Sequence, residues 1–175
     1  YEVNKMKKFF LAILMVILLP TLCLAGEATS STHKTSKGNE VVIQSDVRTF
    51  DILKGVYDLQ GNVFVQLPAR DKTLTIKGDR TAVHLYKMEV HGKGNITLSY
   101  DKLDFKCDTV DVFHKGRTAY VNGNIQFRHG DTNITAAKGQ FNWKTKLATF
   151  EGNVHVNGVP QAGKVTYNII EKKLK

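Results

Sequence analysis

From Val41 onward the chain alternates apolar and polar residues in short runs broken by Gly, Asn and Asp. Alternation with a period of two puts every second side chain on one face, the signature of half-buried β-strands. After residue 25 no segment carries the 3.6-residue period of an amphipathic helix. The pattern predicts an all-β domain over residues 41–175.

The strands recur. Gly-Asn followed by a β-branched apolar residue stands at Gly61-Asn62-Val63, Gly94-Asn95-Ile96, Gly123-Asn124-Ile125 and Gly152-Asn153-Val154, with spacings of 33, 29 and 29 residues. Fifteen residues before each glycine stands Asp46, Asp79, Asp108 or Ala137. A constant offset places the four-residue surplus of the first interval between Asn62 and Asp79, where Leu67 to Lys72 supply proline and charge. The unit is a repeat of about 29 residues, each copy burying its apolar face against its neighbours.

Three residues before the marker stand Ile43, Ile76, Phe105 and Ile134, and directly before it the small residues Ser45, Gly78, Cys107 and Ala136. Phe50, Val83, Val112 and Phe141 follow it by four. Leu59, Gly92, Val121 and Phe150 precede Gly-Asn by two, and Val65, Leu98, Phe127 and Val156 follow its asparagine by three. The Phe50 column is out of phase with the Ile43 column, so the strand must bulge or bend near the marker. Two strands per unit then join through turns at Asp51 to Gly55, His114 to Gly116 and Asn142 to Lys146. A partial fifth unit spans 162–170, and stacking leaves a strand edge open at each end.

The N-terminal end follows a different pattern. Lys5, Lys7 and Lys8 precede Phe9 to Leu19, an unbroken apolar run of 11, and Pro20 to Ala25 close it with small residues at Cys23 and Ala25. This is the order of a secretory signal peptide cleaved after Ala25, with residues 1–5 an upstream extension ahead of Met6. Through Ala25 the segment reaches 17 residues, which leaves a retained membrane anchor as the alternative. Residues 26–40 are polar and read as a flexible leader.

Composition then narrows the chemistry. The 25 Lys and Arg against 16 Asp and Glu give +9; without residues 1–25 the balance is 22 against 15, or +7. An excess of that sign suits an anionic partner, and export removes nucleic acid from the candidates. Cys107 belongs to the small-residue column, a packing position rather than a redox centre. His33, His84, His91, His114, His129 and His155 show no ligand spacing, so neither metal nor cofactor is expected. The Asp marker gives way to Ala137 in one copy and reads as a turn or edge residue. With neither G-x-S-x-G nor a P-loop, and no recurring carboxylate pair, an enzyme is not expected.

The segments IQSDVRTFDILKGVYDLQGNVFV (43–65) and ITAAKGQFNWKTKLATFEGNVHV (134–156) resemble the OstA/LptA-like repeat of bacterial lipopolysaccharide transport, in four copies over 41–156. The resemblance implies a stacked-repeat β-jellyroll of two facing antiparallel sheets, open like a taco. It implies a non-enzymatic periplasmic bridge that binds the lipid A acyl chains and carries lipopolysaccharide from the inner to the outer membrane of a Gram-negative envelope. Implied partners are inner- and outer-membrane components with similar jellyroll domains, docked through strand edges, and a second copy in head-to-tail self-association. On that reading the lipid groove is lined by Ile43, Leu59, Val63, Ile76, Ile96, Phe105, Val121, Ile125, Ile134 and Phe150. The alternatives are a membrane-anchored LptC-like partner and a secreted structural or glycan-binding β-solenoid with a dry core.

The signal reading predicts that N-terminal sequencing of the protein from an exporting cell starts at Gly26. A product that keeps residues 9–25 selects the anchored alternative.

Overall fold

Two consecutive residues in left-handed backbone cannot continue a flat strand, and the Gly-Asn pairs are such residues. The computed structural model describes residues 29–34, 40–69 and 72–175, with side chains over 42–66 and 72–175. The candidate signal segment lies outside them.

No helix occurs among the described residues, and the strands are β1 (Thr29–Lys34), β2 (Glu40–Ser45), β3 (Val47–Asp51), β4 (Val56–Ala69), β5 (Lys72–His84), β6 (Glu89–Tyr100) and β7 (Leu103–Phe113). They continue as β8 (Thr118–His129), β9 (Thr132–Asn142), β10 (Leu147–Glu151), β11 (His155–Val156), β12 (Val159–Pro160), β13 (Val165–Asn168) and β14 (Lys173–Leu174). Hydrogen bonds join them into one open antiparallel sheet ordered β1-β2-β4-β5-β6-β7-β8-β9-β10-β13-β14. Off this path β3 pairs with β4, and β11 pairs with β9 and β12.

Every long strand is bent. Between β4 and β5 the register jumps from Gln60–Arg80 to Val63–Gly78, so Gly61 and Asn62 together oppose Asp79. Equivalent breaks lie at Lys77/Arg80, Lys93/Ile96, Lys106/Thr109 and Asn122/Ile125. Two residues against one is a β-bulge, which kinks the strand. The glycines hold φ of 71°, 79°, 78° and 76°, and the asparagines after them 46°, 48°, 45° and 49°.

The fifteen-residue offset has a physical cause at these bends. Asn62, Asn95 and Asn124 donate from Nδ2 to Oδ2 of Asp46, Asp79 and Asp108 at 2.9, 2.8 and 2.8 Å. A Cβ on Gly61, Gly94 or Gly123 would stand 2.2, 2.3 or 2.2 Å from that same oxygen. Glycine is therefore required there twice over, for its φ and for the approach of the carboxylate. In the fourth copy Ala137 faces Gly152, and only the backbone bond from Ala137 N–H to Gly152 O, 2.8 Å, remains. The marker is thus a corner acceptor, more specific than the turn or edge residue expected.

The bend brings the two limbs of each strand together on one side. Phe127, beyond its corner, lies 5.3 Å ring to ring from Phe150, which precedes its own, and 5.1 Å from Tyr167. The four-residue surplus of the first interval adds two residues to each arm of the β4–β5 hairpin. Its last pairs, Leu67–Leu74 to Ala69–Lys72, run past Leu74–Tyr100, where pairing with β6 ends.

Thr29–Lys34, within the segment expected to be flexible, instead pair with β2 from Thr29–Ser45 to Lys34–Glu40. Its sequence TSSTHK has no apolar alternation, but an edge strand is held by backbone hydrogen bonds that leave no hydropathy trace. Among the described residues β1 pairs with β2 alone, and β3 has no second strand beside it.

The corner clasp generates a paired prediction. Ala137→Asp, which restores the acceptor opposite Asn153, should stabilise by about 0.5–1 kcal/mol and raise Tm by roughly 1–4 °C. Gly123→Ala should cost about 2 kcal/mol or more. Thermal melts check both; an unchanged or lower Tm for Ala137→Asp would show that the Asp–Asn bond does not stabilise the corner.

Candidate functional site

Register assigns each side chain to a face. Before the corner one row runs Arg48, Leu59, Thr81, Gly92, Val110, Val121, Gly139, Phe150 and Val165 across successive strands. After it a second row runs Ile43, Val65, Ile76, Leu98, Phe105, Phe127, Ile134 and Val156. These rows and their in-phase neighbours form the apolar face of the sheet. All ten residues expected to line a groove fall on it.

Burial divides the ten. Ile43, Leu59, Val63, Ile96, Val121, Ile125, Ile134 and Phe150 are each less than a tenth exposed and act as core. Ile76 and Phe105 are half-buried. Period-two alternation identifies a face, but coverage of that face depends on what the opposite limb brings to it.

That coverage is uneven along the sheet. Toward the C-terminal end Phe127, Phe150 and Tyr167 fill the space between the limbs, with Ile125 and Ile134 sealed beneath them. Tyr167 Oη meets His129 Nδ1 at 3.3 Å, and burial, aided by Lys172, holds His129 below its ordinary value. Each such large side chain stabilises by roughly 1.5–3 kcal/mol, so this end is a dry core. Toward the N-terminal end the cluster among the described residues is Ile43, Leu59, Val63 and Leu74, with Val83 buried on the same face, and Val65, Ile76, Leu98 and Tyr100 pack against the cluster half-covered. Val65, Leu98 and Tyr100 complete the accessible part of the face; Val65 and Leu98 stand in a sequence column that already marked them as apolar.

The chain matches no family model and no curated protein.

The opposite face is a lattice of neutralised charges. Arg80 Nη2 reaches Asp58 Oδ2 at 2.6 Å, Arg128 pairs with Asp104, and His91 Nδ1 lies 2.7 Å from Asp111 Oδ1. Asp58 and Asp104 are held below the usual carboxylate range, in each case chiefly by the arginine hydrogen bond. His84, His91, Phe113 and Tyr120 follow one another across β5 to β8, ring centroids 5.2, 6.0 and 5.9 Å apart and edge to face. Register alone assembles this ladder, since its members have no common spacing in the sequence.

Cys107 sits opposite Ile96 on the apolar face, buried, its Sγ 3.3 Å from Thr109 O. Burial first, and the Asp108 charge second, push its thiol up to about 12. A neutral thiol in the fold and an ordinary one in the unfolded chain give stability that is full below about pH 9 and lost toward pH 12. The expected result is that an aromatic disulfide reagent at pH 8 leaves Cys107 unmodified until denaturant is added. Immediate stoichiometric labelling of folded protein would place the thiol outside the core.

Proposed function

We propose that this chain is a non-enzymatic periplasmic carrier of the OstA/LptA-like kind, in which the two limbs of the bent sheet act as the facing walls of a jellyroll. The acyl chains of lipopolysaccharide lie between them along the N-terminal part of the apolar face. The observation that carries this reading is the half-covered row Val65, Ile76, Leu98, Tyr100 and Phe105, apolar surface left accessible inside a bend. Shielding about a dozen CH₂ groups there is worth roughly 10 kcal/mol, the scale a lipid needs to cross water. The phosphorylated head stays at the mouth, drawn by the basic excess.

Strand edges supply the route to partners. The edge of β3, which no other strand covers among the described residues, and the short strands β12 and β14 at the other end offer backbone to a jellyroll domain of a membrane component or to a second copy. A secreted glycan binder would draw on the ladder of His84, His91, Phe113 and Tyr120. Its rings meet edge to face, and Trp143 is buried, so it offers no flat stacking platform.

Photo-crosslinking in cells tests the proposal. Probes at Leu98 and Phe105 should yield lipopolysaccharide adducts, and a probe at Lys106, on the opposite face, should not. Exported, folded protein that labels at neither position, or equally at all three, removes lipid carriage along this face.

A further inference from the structure

The hairpin turns that end the limb before the corner stand in one row. They are residues 52–55, 85–88, 114–117, 143–146 and 169–172, and a backbone bond ties each to the next. Leu85 N–H donates to Gly55 O at 2.8 Å, His114 N–H to Met88 O at 3.2 Å, Trp143 N–H to Arg117 O at 3.1 Å and Ile169 N–H to Lys146 O at 3.0 Å. Successive turns are two strand spacings apart, about 9.5 Å, so the row runs for roughly 40 Å.

Its chemistry repeats along that length. Each turn carries an exposed lysine, Lys54, Lys87, Lys115, Lys144 or Lys172, and the one carboxylate within the five turns is that of Glu171. Lys54 meets Asp51, the last residue of β3, at 3.2 Å. The four most exposed large hydrophobics among the described residues lie in the same row: Leu53 at 90%, Ile52 at 70%, Tyr86 at 69% and Ile170 at 64%. The first two turns are locked together, since Tyr86 Oη donates to Ile52 O at 3.0 Å and a Cβ on Gly55 would stand 2.6 Å from the Tyr86 ring. At the opposite end of the sheet the turns 101–102, 130–131 and 157–158 carry Lys102 against Asp101 and Asp131, and no large apolar residue.

Lysines on turns are by themselves an ordinary solvated face, and a soluble polyanion would need nothing more. Apolar side chains held out among them gain from a partner that is anionic at its surface and apolar beneath. A bilayer containing anionic lipid is such a partner, and tyrosine suits its headgroup level.

We infer that this row of turns docks the protein edge-on to the surface of an anionic membrane. Ile52, Leu53, Tyr86 and Ile170 enter the headgroup boundary, and the five lysines lie against the lipid phosphates. The inference goes beyond the carrier reading and does not depend on it.

Flotation of the protein as isolated from cells tests this, with vesicles of phosphatidylcholine and of an equal mixture of phosphatidylcholine and phosphatidylglycerol. The mixed vesicles should bind it more tightly, each lysine at the surface adding about fivefold. Lys87→Glu, Lys115→Glu and Lys144→Glu together should weaken that binding by about 100-fold or more. The same charge reversal at Lys93, Lys106 and Lys138, exposed on the polar face, should cost less than about tenfold, because these residues lie over roughly 13 Å down their strands, past the screening length. A polarity-sensitive fluorophore on Leu53→Cys, with Cys107 buried, should shift to the blue on the mixed vesicles. Equal loss in the two triple variants, or equal binding to the two kinds of vesicle, overturns the docking row. Charge-dependent binding with no blue shift at Leu53 assigns the row to a soluble polyanion and overturns the membrane. Neither result bears on the adducts at Leu98 and Phe105 that decide the carrier reading.

Discussion

A glycine and an asparagine held one after the other in left-handed backbone, clasped in three of the four copies by a carboxylate across the corner, are the feature on which the sheet's shape depends. Asp46, Asp79 and Asp108 each accept from the asparagine sixteen residues on and brace the bulge that bends the strand. Each bond is exposed and individually modest, about 1 kcal/mol. Its effect is geometric: the marker strands change phase at the corner, so Ile43 and Phe50, or Ile76 and Val83, seven residues apart, come to one face. Without that shift, one limb of each marker strand would present its apolar residues to water.

From that bend follows an interior whose two ends differ. Where aromatic rings of both limbs reach one another, at Phe127, Phe150 and Tyr167, the space is filled and dry. Where the inward side chains are aliphatic, at Val65, Ile76 and Leu98, the limbs leave them half-covered. Stability therefore concentrates at the C-terminal end and accessible apolar surface at the N-terminal end. A carrier needs both, a fixed core to hold the corner geometry and a section whose burial is completed by cargo.

Much of this was legible in the sequence because the corner constrains residue type and spacing together. Gly-Asn and the marker before it recur at one offset since they touch, and the phase change between the Ile43 and Phe50 columns is the bulge itself. What escaped has physical reasons. Thr29–Lys34 pair with β2, and their sequence carries no apolar alternation to announce β1. All ten expected groove residues share one face, yet alternation is blind to what packs opposite, and eight of them are buried as core.

The claim at the centre is that the half-covered face is completed by lipid. Mass spectrometry of lipids extracted from protein purified under native conditions, without detergent, addresses it most directly. A phosphorylated, multiply acylated glycolipid at near-stoichiometric amount is the result expected. Folded protein that emerges free of lipid from cells that make such a glycolipid would contradict the claim.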